Sequence, residues 1–455
     1  MLDSFANILK VPELRRKLLF TLLMLVVFRF GCYLPIPGID VPKVQQVLSE
    51  TQGDASSALG KLLSLADMFT GGAIGRGAVF SLGIMPYITA SIIFQLLVGI
   101  VPALERLQRE GPTGRKKIVQ YTRLATVGLC LFQGTVICWQ LLERRAEPGA
   151  MSFLAPQEVL SDGMFLFFGV SALTVGTIFL MWLGEQIDEF GIGNGISIII
   201  MTGIIARLPS ALRMIRADMS WGGVGDTGDL HMGKVAVLVA MFVGMVLAVV
   251  LITLGQRRVP VHQAKATRGR RVYGGQRSYL PLRVNQSGVI PIIFAQSLLM
   301  LPPFILRLFG PTAERMFSYG GYWYMVTYVL LIIFFCYFYT AVTFKPSEMA
   351  DNLKQNGSYV PGIRPGKRTA DYLEKIMTRI ALAGAIFLSF VAVVPTFVNQ
   401  GMGVRYAVSS FLGGTGLLIV VGVALDVVQR VESYLLMKHY DGFVRGGSPI
   451  RGRRR

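Results

Sequence analysis

The chain has 455 residues, 53% of them hydrophobic and only 16% charged, with a formal net charge of +19. A soluble protein of this length carries charge at about a quarter of its positions, so the composition excludes an ordinary water-soluble domain. The apolar residues fall in runs of about 18–25, the length that crosses a hydrocarbon core.

Ten spans are predicted, near 18–34, 76–103, 118–141, 163–184, 193–208, 233–255, 288–308, 322–344, 376–399 and 406–428. The first follows Arg15-Arg16-Lys17, as a signal peptide would. It leads, however, into Tyr33-Leu34-Pro35-Ile36-Pro37-Gly38 with no small-x-small cleavage pattern, and is read as a retained helix. The second contains Gly83-Ile84-Met85-Pro86-Tyr87-Ile88, and the seventh contains Gly288-Val289-Ile290-Pro291-Ile292-Ile293. These are broken helices at the second position of each set of five. Such matched interruptions point to an internal repeat around a membrane pathway, because freed backbone groups need partners or a wet cavity. The expected division is 1–210, 211–435 and a basic tail at 436–455. Five spans per half is odd, so the halves insert in opposite orientations.

Of the 45 Lys and Arg residues, 31 fall on the side that holds both termini and the loops 105–117, 256–287 and 345–379. The positive-inside rule makes that side cytoplasmic. Loops 256–287 and 345–375 are far longer than ordinary connections. Their arginines read either as topology-setting charge or as a platform for a large anionic partner. The glycines and prolines around Arg364 favour a rigid tip. Cys32, Cys130, Cys138 and Cys336 lie in or beside spans and read as packing residues.

No phosphate-binding Gly-x-x-x-x-Gly-Lys-Ser/Thr motif occurs. The three histidines are too dispersed for a metal site. The run Gly191-Ile192-Gly193-Asn194-Gly195 opens an apolar span and reads as a helix-start turn, not a nucleotide loop. No unpaired carboxylate sits mid-span, against ion coupling and against an intramembrane hydrolase. Neither catalysis nor a cofactor is expected. A secondary transporter of a small solute is the rival class, although the chain offers isoleucines where a polar site would have to lie.

The strings Phe28-Arg29-Phe30-Gly31, Pro35-Ile36-Pro37-Gly38-Ile39-Asp40, Gly83-Ile84-Met85-Pro86-Tyr87-Ile88 and Met181-Trp182-Leu183-Gly184-Glu185-Gln186 closely resemble the bacterial SecY family. So do Gly269-Arg270-Arg271-Val272-Tyr273, Gly288-Val289-Ile290-Pro291 and Val360-Pro361-Gly362-Ile363-Arg364-Pro365-Gly366, in order from about residue 10 to 435. The resemblance implies an all-α, polytopic fold of ten helices in two inverted halves. It also implies a protein-conducting channel of the secretion translocon in the bacterial cytoplasmic membrane. Carried over, an apolar ring would comprise Ile84, Ile88, Ile196, Ile200, Ile293 and Ile419. A plug would lie near 62–75, including Asp67, Met68, Phe69, Gly71 and Gly72. Arg270, Arg271 and Arg364 would meet the SecA ATPase or the ribosome. A lateral gate between spans 2–3 and 7–8 would be lined by Thr89, Gln95, Gln133 and Asn285. The implied partners are the SecE and SecG subunits, signal sequences, secretory polypeptides and membrane lipids.

Overall fold

The computed structural model describes residues 11–44, 67, 69–146, 154, 161–218, 232–263, 266–268, 271–273, 277–286, 288–299, 321–402 and 415–446. In chain order the helices are α1 Pro12–Gly31, α2 Met85–Ile100, α3 Pro102–Arg109, α4 Pro112–Ala146, α5 Asp162–Phe190, α6 Gly195–Ile205 and α7 Leu208–Asp218. After α8, Met232–Leu254, come the strands β1 Gln256–Gln263, β2 Ala266–Arg268, β3 Arg271–Tyr273 and β4 Arg277–Arg283. They are followed by α9 Ile290–Leu299, α10 Tyr322–Thr343, α11 Pro346–Gln355, β5 Ser358–Tyr359, α12 Lys367–Met402 and α13 Thr415–Gly446.

Each predicted span contains a helix, and the two interruptions have the same cause. Gly83 (φ 59) and Gly288 (φ 63) take the left-handed conformation, and Pro86 and Pro291 lie in the first turns of α2 and α9. Proline lacks the N–H that a first turn leaves unused anyway. The Gly-x-x-Pro units are therefore helix starts, not breaks within a span. This corrects the second span, expected from 76 but helical only from Met85, because residues 77–84 form turns behind a 3-10 turn at Ile74–Arg76. Those turns are largely buried and apolar, so hydrophobicity alone reads them as helix. At its far end α2 stops at Val101, whose extended backbone precedes Pro102, and α3 departs at 97°.

Among the described residues, five helices are long and apolar enough to cross a membrane: Pro112–Glu143, Asp162–Phe190, Gly233–Leu254, Tyr322–Gln355 and Lys367–Val394, with α2 plus α3 a sixth if taken together. The remaining predicted spans are short, described only in part, or, in α1, weighted with charge at the start.

One apolar cluster runs through the middle of the molecule, with Leu180, Leu183 and Ile187 of α5, Ile204 of α6, Ile292 of α9, Ile332 of α10 and Ile419 of α13. Helix association in lipid rests on such close packing, since lipid tails are as apolar as leucine. Polar staples add to it. Arg123 of α4 donates two 2.8 Å hydrogen bonds to Glu185 of α5. Tyr434 of α13 donates to Glu13 of α1 at 2.8 Å. The four cysteines are buried thiols.

Strands β4-β1-β5 make a three-stranded antiparallel sheet, an addition to the all-helical expectation. It joins the two long basic loops: Val259 of β1 and Leu282 of β4 pack with Phe344, Val360 and Leu373, Ile376 and Met377 of α12.

Candidate functional site

Residues 67–84 carry the candidate site. Asp67 is fully buried, and its carbonyl accepts from the Gly72 N–H at 2.9 Å and the Thr70 hydroxyl at 3.3 Å. Its Oδ1 accepts from the Gly75 N–H at 2.8 Å, and its other carboxylate oxygen pairs with Arg207, between α6 and α7. The carboxylate thus closes the segment into one turn and ties it to the link that follows α6.

Two more guanidiniums hold the same segment. Arg29 Nη1 donates to the Gly71 carbonyl at 2.7 Å, and Nη2 to the Tyr33 hydroxyl at 3.2 Å. Arg76 donates to the Gly72 carbonyl at 3.3 Å and lies 4.2 Å from the centre of the Tyr33 ring. Arg29, placed by sequence within the first span, is therefore anchored by a backbone oxygen and a phenol hydroxyl. This is how a cation near an apolar core is tolerated.

The turn sits directly on α6. A β-carbon at Gly71 (φ +67) would fall 3.1 Å from the Gly203 Cα, and one at Gly203 would fall 2.9 Å from the Phe69 carbonyl oxygen. Two backbones meet there with no room for a side chain. Gly72 (φ +87) is held by space as well as conformation, because Arg76 and Arg207 both pass within 3.4 Å of where its β-carbon would be.

All six isoleucines lie in or against the central cluster: Ile84 before α2, Ile88 on α2, Ile196 and Ile200 on α6, Ile293 on α9 and Ile419 on α13. Ile419 is completely buried, four others nearly so, and Ile196 half-buried. Phe69 of the docked turn belongs to the same cluster, so isoleucines and turn form one continuous apolar mass. Met68 lies outside the described residues.

Other expected residues sit elsewhere. Arg364 is exposed at the tip of a turn fixed by Gly362 (φ 79) and Gly366 (φ 104), and its carbonyl accepts from the buried Thr369 at 3.0 Å. Arg271 begins β3, and Arg270 lies outside the described residues. The four polar gate candidates lie on α2, on α4 and ahead of α9. Thr89 donates to the Met85 carbonyl of its own helix at 3.0 Å, Gln95 is exposed, Gln133 is half-buried on α4, and Asn285 is half-buried ahead of α9. The turn Gly191–Gly195 does start a helix, with the Asn194 side chain accepting from the Ser197 N–H at 3.0 Å.

Sequence reasoning passed over Arg207 and Gly203. The signal available was the acid Asp67 in an otherwise apolar stretch, matched by an arginine directly after an apolar helix.

A family model described as SecY matches residues 78–428. The chain is 41% identical to the protein translocase subunit SecY of Thermotoga maritima, over all of both chains. It is 42% identical to that of Escherichia coli K12, over 94% of this chain and 93% of the other. A solved protein-conducting channel has the same fold, with TM-score 0.59 and 18% identity over 92% of each chain. Sec61 in the canine ribosome–channel complex has TM-score 0.56 and 17% identity, also over 92% of each. With Gly-x-x-Pro helix starts at α2 and α9, a family-model match over residues 78–428 and 41% identity along its whole length, the chain belongs to the SecY family.

Proposed function

We propose that the chain is the pore-forming subunit of a protein translocase, passing unfolded polypeptides across the bacterial cytoplasmic membrane and releasing hydrophobic segments sideways into lipid. In this reading Ile84, Ile88, Ile196, Ile200, Ile293 and Ile419 form a waist that excludes water yet deforms around a moving chain. The plug is the segment 62–75, of which 67 and 69–75 are described and 62–66 and 68 lie outside the described residues, and both termini face the cytoplasm. The observation that carries the reading is the continuity of the six isoleucines with Phe69 of the docked turn in one buried cluster. A transporter of small solutes needs convergent polar groups there, and isoleucines offer none.

The energy then comes from outside the chain. Arg364, Arg270 and Arg271 are the contacts for the SecA ATPase or for ribosomal RNA, and SecE and SecG complete the channel. The sheet β4-β1-β5 joins the two loops in which these arginines lie.

Site-specific photocrosslinking from position Ile196, with a secretory chain arrested midway, tests the reading. A strong crosslink that vanishes when the probe moves to exposed Val175 on α5 is the expected result. Confirmed arrest without a crosslink from Ile196 overturns the waist assignment.

A further inference from the structure

We infer that the Asp67–Arg207 ion pair is the latch that sets how strong a signal sequence must be to open this channel. The inference rests on the reading of 62–75 as a plug, and goes beyond it by naming the contact that decides when the plug leaves.

The three guanidiniums around the plug are not equivalent. Arg29 and Arg76 bind the carbonyls of Gly71 and Gly72, contacts that any side chains at neighbouring positions would leave intact. Arg207 alone binds an acid, and it lies two residues past the end of α6, the helix that carries Ile196 and Ile200. The pair therefore joins the stopper to the wall of the proposed waist. Its two members differ in access to water: the Asp67 side chain is 0% exposed and that of Arg207 27%.

A buried charge pair adds little depth over an apolar contact, but removing one partner strands the other at considerable cost. The docked plug is thus stable only while Arg207 is in place. Once the plug departs, both charges hydrate and nothing is stranded. The contact gives the closed state a threshold without making the open state harder to hold. Gly203 and Gly71, backbone against backbone, put the plug in the register the pair requires.

The asymmetry in exposure fixes the order of the effects. Arg207→Gln leaves a fully buried carboxylate without its cation. Asp67→Asn keeps an oxygen to accept from the Gly75 N–H and leaves only a partly hydrated arginine. The double variant carries no charge to strand.

The test uses the full channel with its partner subunits in lipid vesicles, normalised to assembled channel. The readout is transport of a precursor with a defective signal sequence divided by transport of one with an intact signal. Arg207→Gln should raise this ratio about tenfold, Asp67→Asn by a smaller factor, and the double variant should fall back toward Asp67→Asn. A wild-type ratio in Arg207→Gln, a double variant at or above Arg207→Gln, or loss of transport of both precursors overturns the latch. Deleting 62–75 separates the two ideas. If the deletion raises the ratio and Arg207→Gln does not, the latch alone fails; if the deletion changes nothing, the plug reading fails.

Discussion

A water-tight seal asks a side chain to be apolar, bulky and free of any group that water could follow. Ile419 meets all three demands, being completely buried within a cluster that includes Ile84, Ile88, Ile200 and Ile293, with Ile196 packed against it. Replacing it with asparagine puts an amide into this buried apolar cluster, at a cost of about 2–4 kcal/mol to the closed packing. Ile419→Asn should therefore let precursors with poor signal sequences through. Unchanged stringency alongside altered uptake of a small solute would favour the transporter reading. Gly203 sets a second residue-scale limit. Its neighbours at Phe69 and Gly71 are backbone atoms, and Arg29 pins the Gly71 carbonyl, so neither can give way. Gly203→Val should lift the turn off α6 and raise the resting ion conductance of the channel in planar bilayers about tenfold or more, by the amount an overpacked contact costs. Wild-type conductance would mean that the turn does not seal.

At the scale of elements, the two Gly-x-x-Pro units were legible because glycine with φ > 0 and proline in a first turn are rules of local geometry. Local geometry also gave the Asn194 start of α6. What could not be read locally was which apolar residues are helical: 77–84 are as hydrophobic as a span but fold into turns against α5 and the segment after α1. Arg207 and Gly203 escaped for a related reason, as their partners lie more than 130 positions away. The sheet β4-β1-β5 escaped because its inward residues are few: Val259, Val261 and Leu282 between arginines and prolines. Once formed, the sheet makes a rigid mount. Phe344 joins it to α12 from between α10 and α11, and Phe344→Ala should destabilise this unit by about 3–5 kcal/mol, seen as faster protease cleavage within 256–287. Arg364, exposed on that mount, should behave differently. Arg364→Ala should leave cleavage unchanged but weaken ribosome binding, and reduce the slope of log affinity against log salt by about one. An unaltered slope would remove Arg364 from the phosphate contacts.

At the scale of the whole molecule, the central cluster belongs to neither proposed half alone: α2, α5 and α6 supply one side, α9, α10, α12 and α13 the other. Parting the halves into water would expose this surface at about 25 cal/mol for each Å². Parting them toward lipid costs far less, because lipid tails replace the lost side-chain contacts with others as apolar. In the proposed function the inexpensive direction of opening is therefore sideways, and α2 and α9, which are in contact, are the seam proposed for it. Hydrogen bonds do not set its strength at Thr89, whose hydroxyl is spent on its own helix, and the seam depends on apolar packing by Ile88, Ile92, Ile292 and Ile293. Such a seam yields to an apolar helix of similar shape, which is what the core of a signal sequence is. A covalent tie should defeat it. With Cys32, Cys130, Cys138 and Cys336 replaced, cysteines introduced on α2 and α9 and joined by a short thiol crosslinker should reduce transport of an intact-signal precursor by at least about tenfold, the factor that 1.4 kcal/mol of added barrier supplies. Cleaving the crosslinker should restore transport. The same tie between α4 and α5, which pack within one half and share the Arg123–Glu185 bridge, should leave transport intact. Full transport through the α2–α9 tie would show that polypeptides cross without the seam opening, and would move the gate elsewhere in the fold.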